Sequence, residues 1–456
     1  MYQADVMSTS ERRAGASLAA VFAFRMLGLF MVLPVLAIYG QDLKGATPLL
    51  IGMAIGAYGI TQAFLQIPMG MLSDRIGRKP VIIGGLILFA LGGLLAAQAD
   101  SIGGVIAGRV LQGAGAIAAA IMALVADLTR DQHRTKAMAM IGMSIGLSFA
   151  VAMVAGPLIA GAGGLSAVFY TTAVLALVGI ALVGLVVPTP VEVHHHRDAG
   201  VVKGAFLPAL RNGDLLRLNY GIAVLHALLM ACFVAIPLAL QEHAGLPRES
   251  HWWVYLTALL LSFVGMVPLI IYAERKRRIK RVALGAILLL ALVQPLMWLT
   301  MDSLAWFVVI IVLFFVAFNL LEATLPSLLS KIAPAGGKGT AMGIYSTSQF
   351  AGAAIGGVLG GAVYGSYGLG GVFACCALLA LSWFGIGVTM TEPPYVTSMR
   401  LSLSPTQLSD KGLLQRILGV PGVAEAVIAA DEAAAYIKVD TQVLEHDQLD
   451  RILNPV

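Results

Sequence analysis

Four ionisable residues interrupt long apolar stretches of this sequence: Arg25, Arg109, His226 and Glu322. A charged side chain at the centre of a bilayer costs at least about 2.5–3.5 kcal/mol, so such residues usually face a polar cavity or a partner. A buried carboxyl group and a histidine can both exchange protons near physiological pH. Glu322 and His226 are therefore candidates for proton coupling, and the two guanidinium groups for contact with a polar solute.

Each of these candidates also has a structural interpretation. Glu322 could form an ion pair with Arg25 or His226 instead of binding protons. Arg25 could bind an anionic or polar group of a substrate, or it could only balance Glu322. His226 is explained equally well as a titrating group and as a packing residue with one hydrogen bond.

Other polar and aromatic residues lie in the same apolar stretches. Arg109 is better explained as a structural residue that bonds across helices, with Gln112 beside it. Asn319 precedes Glu322 by about one helical turn, so the two could share a face. Several large side chains could line an apolar drug pocket, although lipid-facing or packing roles explain any one of them better. They are Phe22, Phe24, Phe30, Met31, Met230, Phe233, Phe314, Phe315 and Phe318.

A short charged stretch, GMLSDRIGRK at residues 70–79, separates two apolar runs. Its cations Arg75, Arg78 and Lys79 could simply anchor a loop on the cytoplasmic side of a membrane. That explanation does not account for Asp74 or for the spacing of the glycines. We therefore expect this loop to have a conformational role as well.

The composition is that of a membrane protein. Hydrophobic residues make up 59% of the 456 residues, only 12% are charged, and the mean hydropathy is +0.88. A soluble domain carries about a quarter of charged residues. The sequence has no long basic tract and no ATP-binding loop, so we expect no nucleic-acid partner, no cofactor, no metal site and no enzymatic activity. Cys232, Cys375 and Cys376 lie in apolar runs and are predicted to be core residues.

Apolar runs of spanning length recur along residues 17–390, and helices are expected because each satisfies its backbone hydrogen bonds internally. We predict twelve transmembrane helices near residues 17–39, 49–72, 80–98, 102–127, 137–161, 166–187, 217–240, 251–273, 282–300, 304–330, 339–364 and 370–390. The four ionisable residues fall in the first, fourth, seventh and tenth of these helices.

The distribution of Lys and Arg predicts the orientation of these helices. One set of alternate connections is basic, and it includes the runs 75–79, 130–136 and 275–281. The other set holds only Lys44 and Arg248. Both termini are therefore predicted to lie in the cytoplasm.

The second half of the chain repeats features of the first at a shift of 204 residues. The aligned residues are Ala137-Met138 with Ala341-Met342, Gly156 with Gly360, Gly161 with Gly365, Gly164 with Gly368, and Val168-Phe169 with Val372-Phe373. The register holds across a helical hairpin without a gap. This pattern predicts two six-helix halves of the same orientation, with a polar site between them.

Three motifs resemble those of the major facilitator superfamily of secondary transporters. Gly70, Asp74, Arg75, Gly77, Arg78 and Lys79 match its G-x-x-x-D-R-x-G-R-K loop. Arg109, Gln112 and Gly113 are similar to its helix 4 motif R-x-x-Q-G. Gly156, Pro157 and Gly161 are similar to the helix 5 motif G-P-x-x-G-G typical of its antiporters, with Ala160 in place of one glycine. Helix 1 lacks the acidic residue usual in drug exporters.

The resemblance implies a role for the charged loop. In that family the equivalent of Asp74 faces the N-terminal end of helix 11 from the opposite half, where the helix dipole attracts a carboxylate by up to about 2 kcal/mol. This contact would latch the halves together on the cytoplasmic side. Arg78 would pair with Asp127 at the end of helix 4, Gly70 would let helix 11 approach, and Gly77 would permit a tight turn.

The remaining segments are hydrophilic. Residues 188–216 are predicted to be a cytoplasmic linker, and their run His194-His195-His196 is more simply a solvated loop than a metal site. Residues 395–456 alternate between strand-like and helical patterns in the order βαββα, which suggests a ferredoxin-like domain. This domain lacks the CxxC pair of metal-binding relatives, so regulation, partner binding and self-association remain open for it.

The sequence thus predicts an all-α polytopic membrane protein of twelve helices in two pseudo-symmetric halves, 1–187 and 217–390, with a small α+β cytoplasmic domain at 395–456. The preferred function is proton-coupled efflux of small hydrophobic or amphipathic compounds across a bacterial inner membrane. A proton-coupled importer of a polar nutrient is one alternative. Another is a transport-inactive sensor that signals through its C-terminal domain.

Overall fold

A computed structural model describes residues 7–189 and 203–453 of the chain. Its helices before the C-terminal domain are α1 (Thr9–Met31), α2 (Leu33–Tyr39), α3 (Pro48–Ile76), α4 (Arg78–Ala97), α5 (Ile102–Ala114), α6 (Ala118–Leu128), α7 (Asp131–Leu185), α8 (Lys203–Arg211), α9 (Gly213–Glu242), α10 (His251–Arg275), α11 (Ile279–Thr300), α12 (Leu304–Ile332) and α13 (Lys338–Val388). We call α1–α7 the N-half and α9–α13 the C-half. The predicted histidine run at 194–196 lies outside the described residues.

Ten helical segments of the described chain are long and apolar enough to cross a membrane. Two of them, within α7 and α13, contain 50 and 51 residues, whereas about 20 suffice for one crossing. Both are interrupted by a glycine at positive φ, Gly164 at 70° and Gly368 at 65°. These glycines are partners in the 204-residue repeat, so the repeat is visible in the backbone. Each long segment therefore provides two crossings, which makes twelve.

The helix boundaries differ from the predicted ones where polar residues extend or interrupt a helix. The first helix begins at Thr9 and not near residue 17, because Ser8 and Glu11 form a capping box ahead of the apolar run. The predicted fourth helix is two helices, α5 and α6, separated at Gly115–Ile117. α8 and the start of α9 lie inside the segment predicted to be a linker. The helical assignment of the spans is otherwise confirmed.

The two ends of the helix bundle differ in charge. The basic end carries the connections that contain Arg75–Lys79, Arg130–Lys136 and Arg275–Arg281. The opposite end carries the connection between α2 and α3 and the one between α9 and α10.

The N-half and the C-half pack closely near the opposite end, where α3 crosses α13. Glycines on both helices bring the backbones together: a Cβ atom on Gly52 would lie 2.3 Å from the carbonyl oxygen of Gly357, and one on Gly56 would lie 2.5 Å from that of Ala354. Any larger residue at these positions would force the helices apart. The sequence therefore specifies a tight seam between the halves on this side.

The C-terminal domain follows α13. It consists of β1 (Thr397–Ser402), α14 (Pro405–Leu408), α15 (Leu413–Leu418), β2 (Val423–Ala429), β3 (Ala434–Val439) and α16 (His446–Leu453). β3 is the central strand and pairs antiparallel with both β1 and β2. This arrangement is the split βαβ unit of ferredoxin-like folds, as predicted. Buried side chains such as Leu413, Ile417 and Ile437 form its core.

Candidate functional site

The N-half contains a buried polar cluster around Arg25, which we call the N-centre. The Arg25 side chain on α1 is almost fully buried, and its Nη2 donates hydrogen bonds to the hydroxyl of Tyr58, to Oε1 of Gln62 at 2.9 Å and to the carbonyl of Gly115 at 3.2 Å. That carbonyl lies at the end of α5, where the helix dipole is negative and favours a cation. The break between α5 and α6 thus gives the buried guanidinium an acceptor.

Arg109 and Gln112 extend the N-centre toward the opposite end. Nε of Arg109 donates to the carbonyl of Ala54 at 3.3 Å, and its Nη1 donates to Oε1 of Gln112 at 3.2 Å. Its guanidinium carbon lies 5.2 Å from the centre of the Tyr58 ring, within the range of a cation–π interaction. Gln112 donates in turn to Thr172 on α7. These bonds across helices agree with a structural role for Arg109.

The N-centre holds two guanidinium groups, and the carboxylates of the N-half lie elsewhere. The described carboxylate side chains of residues 7–189 belong to Glu11, Asp42, Asp74, Asp100 and Asp127, all at the two ends of the bundle. The charge of Arg25 and Arg109 is therefore stabilised by neutral acceptors and by the Tyr58 ring.

The C-half contains a second polar cluster, the C-centre, formed by Glu322, His226 and Gln349. Nε2 of His226 lies 3.8 Å from Oε2 of Glu322. Nε2 of Gln349 lies 2.8 Å from Nε2 of His226 and 3.4 Å from Oε1 of Glu322. The Glu322 side chain is 37% exposed and that of His226 is 12% exposed. The C-centre thus combines an acid and a histidine that share a neighbour, and the Glu322 side chain is only partly covered, although its Oε2 atom is buried.

The alternatives left open by the sequence can now be compared with the geometry. Glu322 lies next to His226, and among the described residues it forms no ion pair with Arg25, whose hydrogen bonds stay within the N-half. Asn319 does not join Glu322, because its Nδ2 donates to Ser262 on α10 at 2.8 Å. The two centres approach each other through Tyr58 and Phe350, whose ring centres are 6.2 Å apart.

Aromatic rings from both halves meet beside the C-centre. Phe149 on α7 lies 5.0 Å from Phe30 and 6.1 Å and 6.3 Å from Phe315 and Phe318 on α12, between ring centres. Phe318 is also 6.0 Å from the His226 ring. Because Phe318 precedes Glu322 by one turn on the side of the opposite end, this cluster closes the interface above the carboxylate.

Sequence reasoning missed several members of the two centres. Gln62 and Gln66 lie one turn apart in α3 and bond to each other at 2.7 Å, and Gln349 lies in the predicted eleventh helix. Tyr58 is contacted by both buried arginines. The three glutamines are polar residues inside predicted spans, and a search for uncharged polar groups would have found them.

Charged contacts join the halves at the opposite end. Arg248, between α9 and α10, lies 3.5 Å from the Asp42 carboxylate and 4.5 Å from the centre of the Tyr39 ring. A Cβ atom placed on Gly161 would lie 3.6 Å from Cγ of Glu249, the residue after Arg248. The glycine of the antiporter-like motif thus lies beside this contact between the halves.

The other residues of that motif pack helix 5 against helix 1. A Cβ atom on Gly156 would lie 2.4 Å from the carbonyl oxygen of Met31, so only glycine permits this approach. Pro157 follows inside α7. The motif therefore has a packing role in this structure.

The charged loop at the basic end forms contacts within the N-half. Arg78 pairs with Asp74, and its Nε lies 3.2 Å from the Asp127 carboxylate, as the resemblance implied. Arg78 also donates to Ser73 at 2.8 Å. Gly77 has a φ of 100°, which a side chain would strain, and ends α3.

The expected latch between Asp74 and helix 11 is not formed in this structure. Among the described residues, the ion-pair partner of Asp74 is Arg78, and the nearest neighbour of a Cβ atom on Gly70 would be Ala119 on α6 at 3.0 Å. The expectation that Gly70 packs against helix 11 is therefore wrong for this conformation. The close contacts of α3 with α13 lie instead toward the opposite end, at Gly52, Gly56 and Gly59. Arg75 is exposed.

Comparison with protein-family models gives two matches. The model of the Major Facilitator Superfamily matches residues 18–357, and the model of the YajR YAM domain matches residues 399–454. The first match lies within the helix bundle and ends inside α13, and the second covers the C-terminal domain.

Individual proteins of known sequence or structure are also similar. The inner membrane transport protein YajR of Escherichia coli (strain K12) is 52% identical over 98% of both chains. The multidrug resistance protein MdtH of Aeromonas salmonicida (strain A449) is 25% identical over 74% of this chain and 84% of its own. A crystal structure of a bacterial homologue of the human lysosomal transporter Spinster, in an inward-facing and occupied conformation, has a TM-score of 0.69 at 12% identity and covers 85% of this chain and 99% of that one.

Proposed function

The chain belongs to the major facilitator superfamily, and we propose that this membrane transporter exports small hydrophobic or amphipathic compounds in exchange for protons. Its multi-pass architecture and its similarity to YajR over almost the whole chain make it an inner-membrane protein. Transporters of this family are not enzymes. The direction, the coupling ion and the substrate class are the proposed parts.

The position of Glu322 is the observation that carries the proposal. A carboxylate within a membrane span is costly and is retained at proton and ion pathways. The Glu322 side chain in the C-centre is partly exposed, and His226 lies beside it. We assign proton binding to Glu322, with His226 and Gln349 holding its orientation. The sealed Arg25, Arg109 and Gln112 provide the scaffold of the N-half.

The aromatic surroundings of the C-centre support an apolar or amphipathic substrate. Phe149, Phe315 and Phe318 are buried between the halves near Glu322, and they would become apolar surface when the halves part at the opposite end. The similarity to a protein named for multidrug resistance is consistent with such cargo. The antiporter-like residues Gly156 and Pro157 favour exchange over symport.

The charge of the two ends gives the sidedness of the proposed cycle. The basic end is assigned to the cytoplasm, together with both termini, by the excess of Lys and Arg. Since the close contacts of α3 with α13 lie toward the opposite end and the Asp74 contact is not formed, we assign this structure to a state open to the cytoplasm. The Arg248–Asp42 contact would hold it on the outside, and Asp74 would reach the start of α13 when the cytoplasmic side closes.

Proton flux in everted membrane vesicles tests the proposal. Addition of apolar compounds to energised vesicles that contain the protein should release protons from the lumen, and vesicles with Glu322→Gln should not respond. Proton flux in the opposite sense of coupling would identify an importer, for which a polar nutrient is the alternative cargo. Absence of flux with a broad compound panel, from well-expressed protein, would favour the sensor alternative and contradict export.

A further inference from the structure

The C-terminal domain contacts two regions of the C-half at the basic end. Arg277, between α10 and α11, donates to both carboxylate oxygens of Asp440 at 3.1 and 2.9 Å and to Gln442 at 2.8 Å. The hydroxyl of Tyr395 accepts from the backbone N–H of Ile279 at 3.2 Å. Bidentate contacts of an arginine with a carboxylate are specific in geometry as well as favourable. The domain therefore has a defined seat on the bundle.

The domain also contacts the end of α12 and the connection between α12 and α13. Nζ of Lys438 on β3 donates to the carbonyl of Lys331 at 2.6 Å, and Oε1 of Glu425 on β2 accepts from the backbone N–H of Ala335 at 3.1 Å. Ala335 also packs against a small apolar cluster of the domain that includes Tyr436. Lys438 is 4% exposed, so this contact is buried and excludes water.

Ala335, the partner of Glu425, lies three residues before Lys338, the first residue of α13. Burial lowers the pKa of Lys438, and the neighbouring Glu425 raises it again. Lys338 is close enough to act on the same group. The carboxylate, the two lysines and the start of α13 thus form one electrostatic neighbourhood.

The same helix start is the one that Asp74 would contact when the basic end closes. A helix N-terminus carries about half a positive charge and attracts a carboxylate within its first turn. A second carboxylate beside the first is opposed by like-charge repulsion. Glu425 and Asp74 lie on different bodies, since the domain is fixed to the C-half and Asp74 belongs to the N-half.

We propose that the C-terminal domain opposes closure of the basic end, because Glu425 places a carboxylate beside the connection that leads into the start of α13, which Asp74 must reach. The domain then disfavours closure of the basic end, and closure becomes easier when the contact of the domain with the α12–α13 connection is weakened. This inference rests on the Asp74 contact put forward under the proposed function.

A spin-label distance measurement tests the competition. Labels at Lys136→Cys in the N-half and Arg281→Cys in the C-half, on a background without other reactive cysteines, report the separation of the basic ends in lipid nanodiscs. Glu425→Gln should raise the ratio of the closed to the open population by roughly twofold to fivefold, the size of one helix-end interaction. Asp450→Asn, an exposed carboxylate elsewhere in the same domain, should leave the ratio unchanged.

Two further arms keep the outcome interpretable. Arg277→Gln weakens the contact of the bundle with Asp440 of the domain through an exposed side chain, and it should also raise the closed population. Glu425→Gln combined with Asp74→Asn should give no rise, since the competitor is gone. An unchanged or reduced closed population with Glu425→Gln, or a rise that persists without Asp74, would overturn the proposal. Asp74→Asn alone judges the latch separately, because loss of the latch must lower the closed population whatever the domain does.

Discussion

The polar centre of the N-half is sealed, whereas that of the C-half is partly open. Arg25 is 1% exposed and bonds to neutral acceptors, while the Glu322 side chain is 37% exposed and lies beside a histidine. A permanently charged group can hold a bundle together without access to water. A carboxylate that must gain and lose protons needs that access. Under the proposed function, the two halves, although related by a repeat, would divide structural and coupling roles between them.

Removal of the C-centre carboxylate should have the largest effect on transport. Glu322→Gln keeps the size and the hydrogen bond to Gln349 but cannot ionise, so we expect a loss of proton-coupled flux of about 5–150-fold, the range of a typical coupling free energy. Flux in everted vesicles measures it, with the thermal unfolding midpoint as the check on folding. Full proton-coupled transport by this variant would assign the proton to another residue and break the comparison.

Removal of the N-centre cation should instead affect stability. Arg25→Leu leaves the Gln62 and Gly115 acceptors without their donor, and each unsatisfied buried group costs about 1–3 kcal/mol. We expect a lower unfolding midpoint in detergent, and transport per folded molecule that still responds to a proton gradient. Arg13→Leu, at an exposed position of the same helix, is the matched control. Normal stability with abolished coupling would place Arg25 in the transport pathway.

The division between the centres could be predicted only in part. The sequence identified the charged residues because ionisable groups inside apolar spans stand out against their neighbours. It left open whether Arg25 pairs with Glu322, because spacing along the chain does not fix the distance between helices of different halves. The acceptor of Arg25 at Gly115 depends on a helix break inside a continuous apolar run, which hydropathy does not reveal.

Conformation and helix ends show a second limit of prediction. The motif around Asp74 was recognised and its Arg78–Asp127 pair is present, yet the latch is not engaged. One sequence encodes both the open and the closed state, so a motif cannot state which is populated. The start of α1, in contrast, was predictable from Ser8 and Glu11, and was missed because the search followed apolar runs only.

Substitution of the histidine should sharpen the role of the C-centre. His226→Asn keeps a polar group near Gln349 but removes the imidazole, so we expect transport to persist with a changed pH dependence and a loss of about a few fold. The loss should be smaller than that of Glu322→Gln because a neutral partner can still orient the carboxylate. A pH–rate profile in proteoliposomes gives the comparison. An effect as large as that of Glu322→Gln would make His226 the proton carrier instead.

The smallest expected effects on transport and stability come from substitution of one glutamine in each centre, Gln62 and Gln349. Gln62→Leu removes the acceptor of Arg25 and the donor to Gln66, so it should lower stability by about 1–3 kcal/mol and leave the pH dependence of transport as it is. Gln349→Leu removes a 2.8 Å hydrogen bond to His226 and a longer contact with Glu322 at a half-buried position, so stability should change by only about 1 kcal/mol while the pH profile shifts. Unfolding midpoints and pH–rate profiles of both variants decide between the roles. A shifted pH profile with Gln62→Leu would place the N-centre in the proton path. Because Gln62 bonds directly to Arg25, this result would contradict a purely structural role for the N-centre.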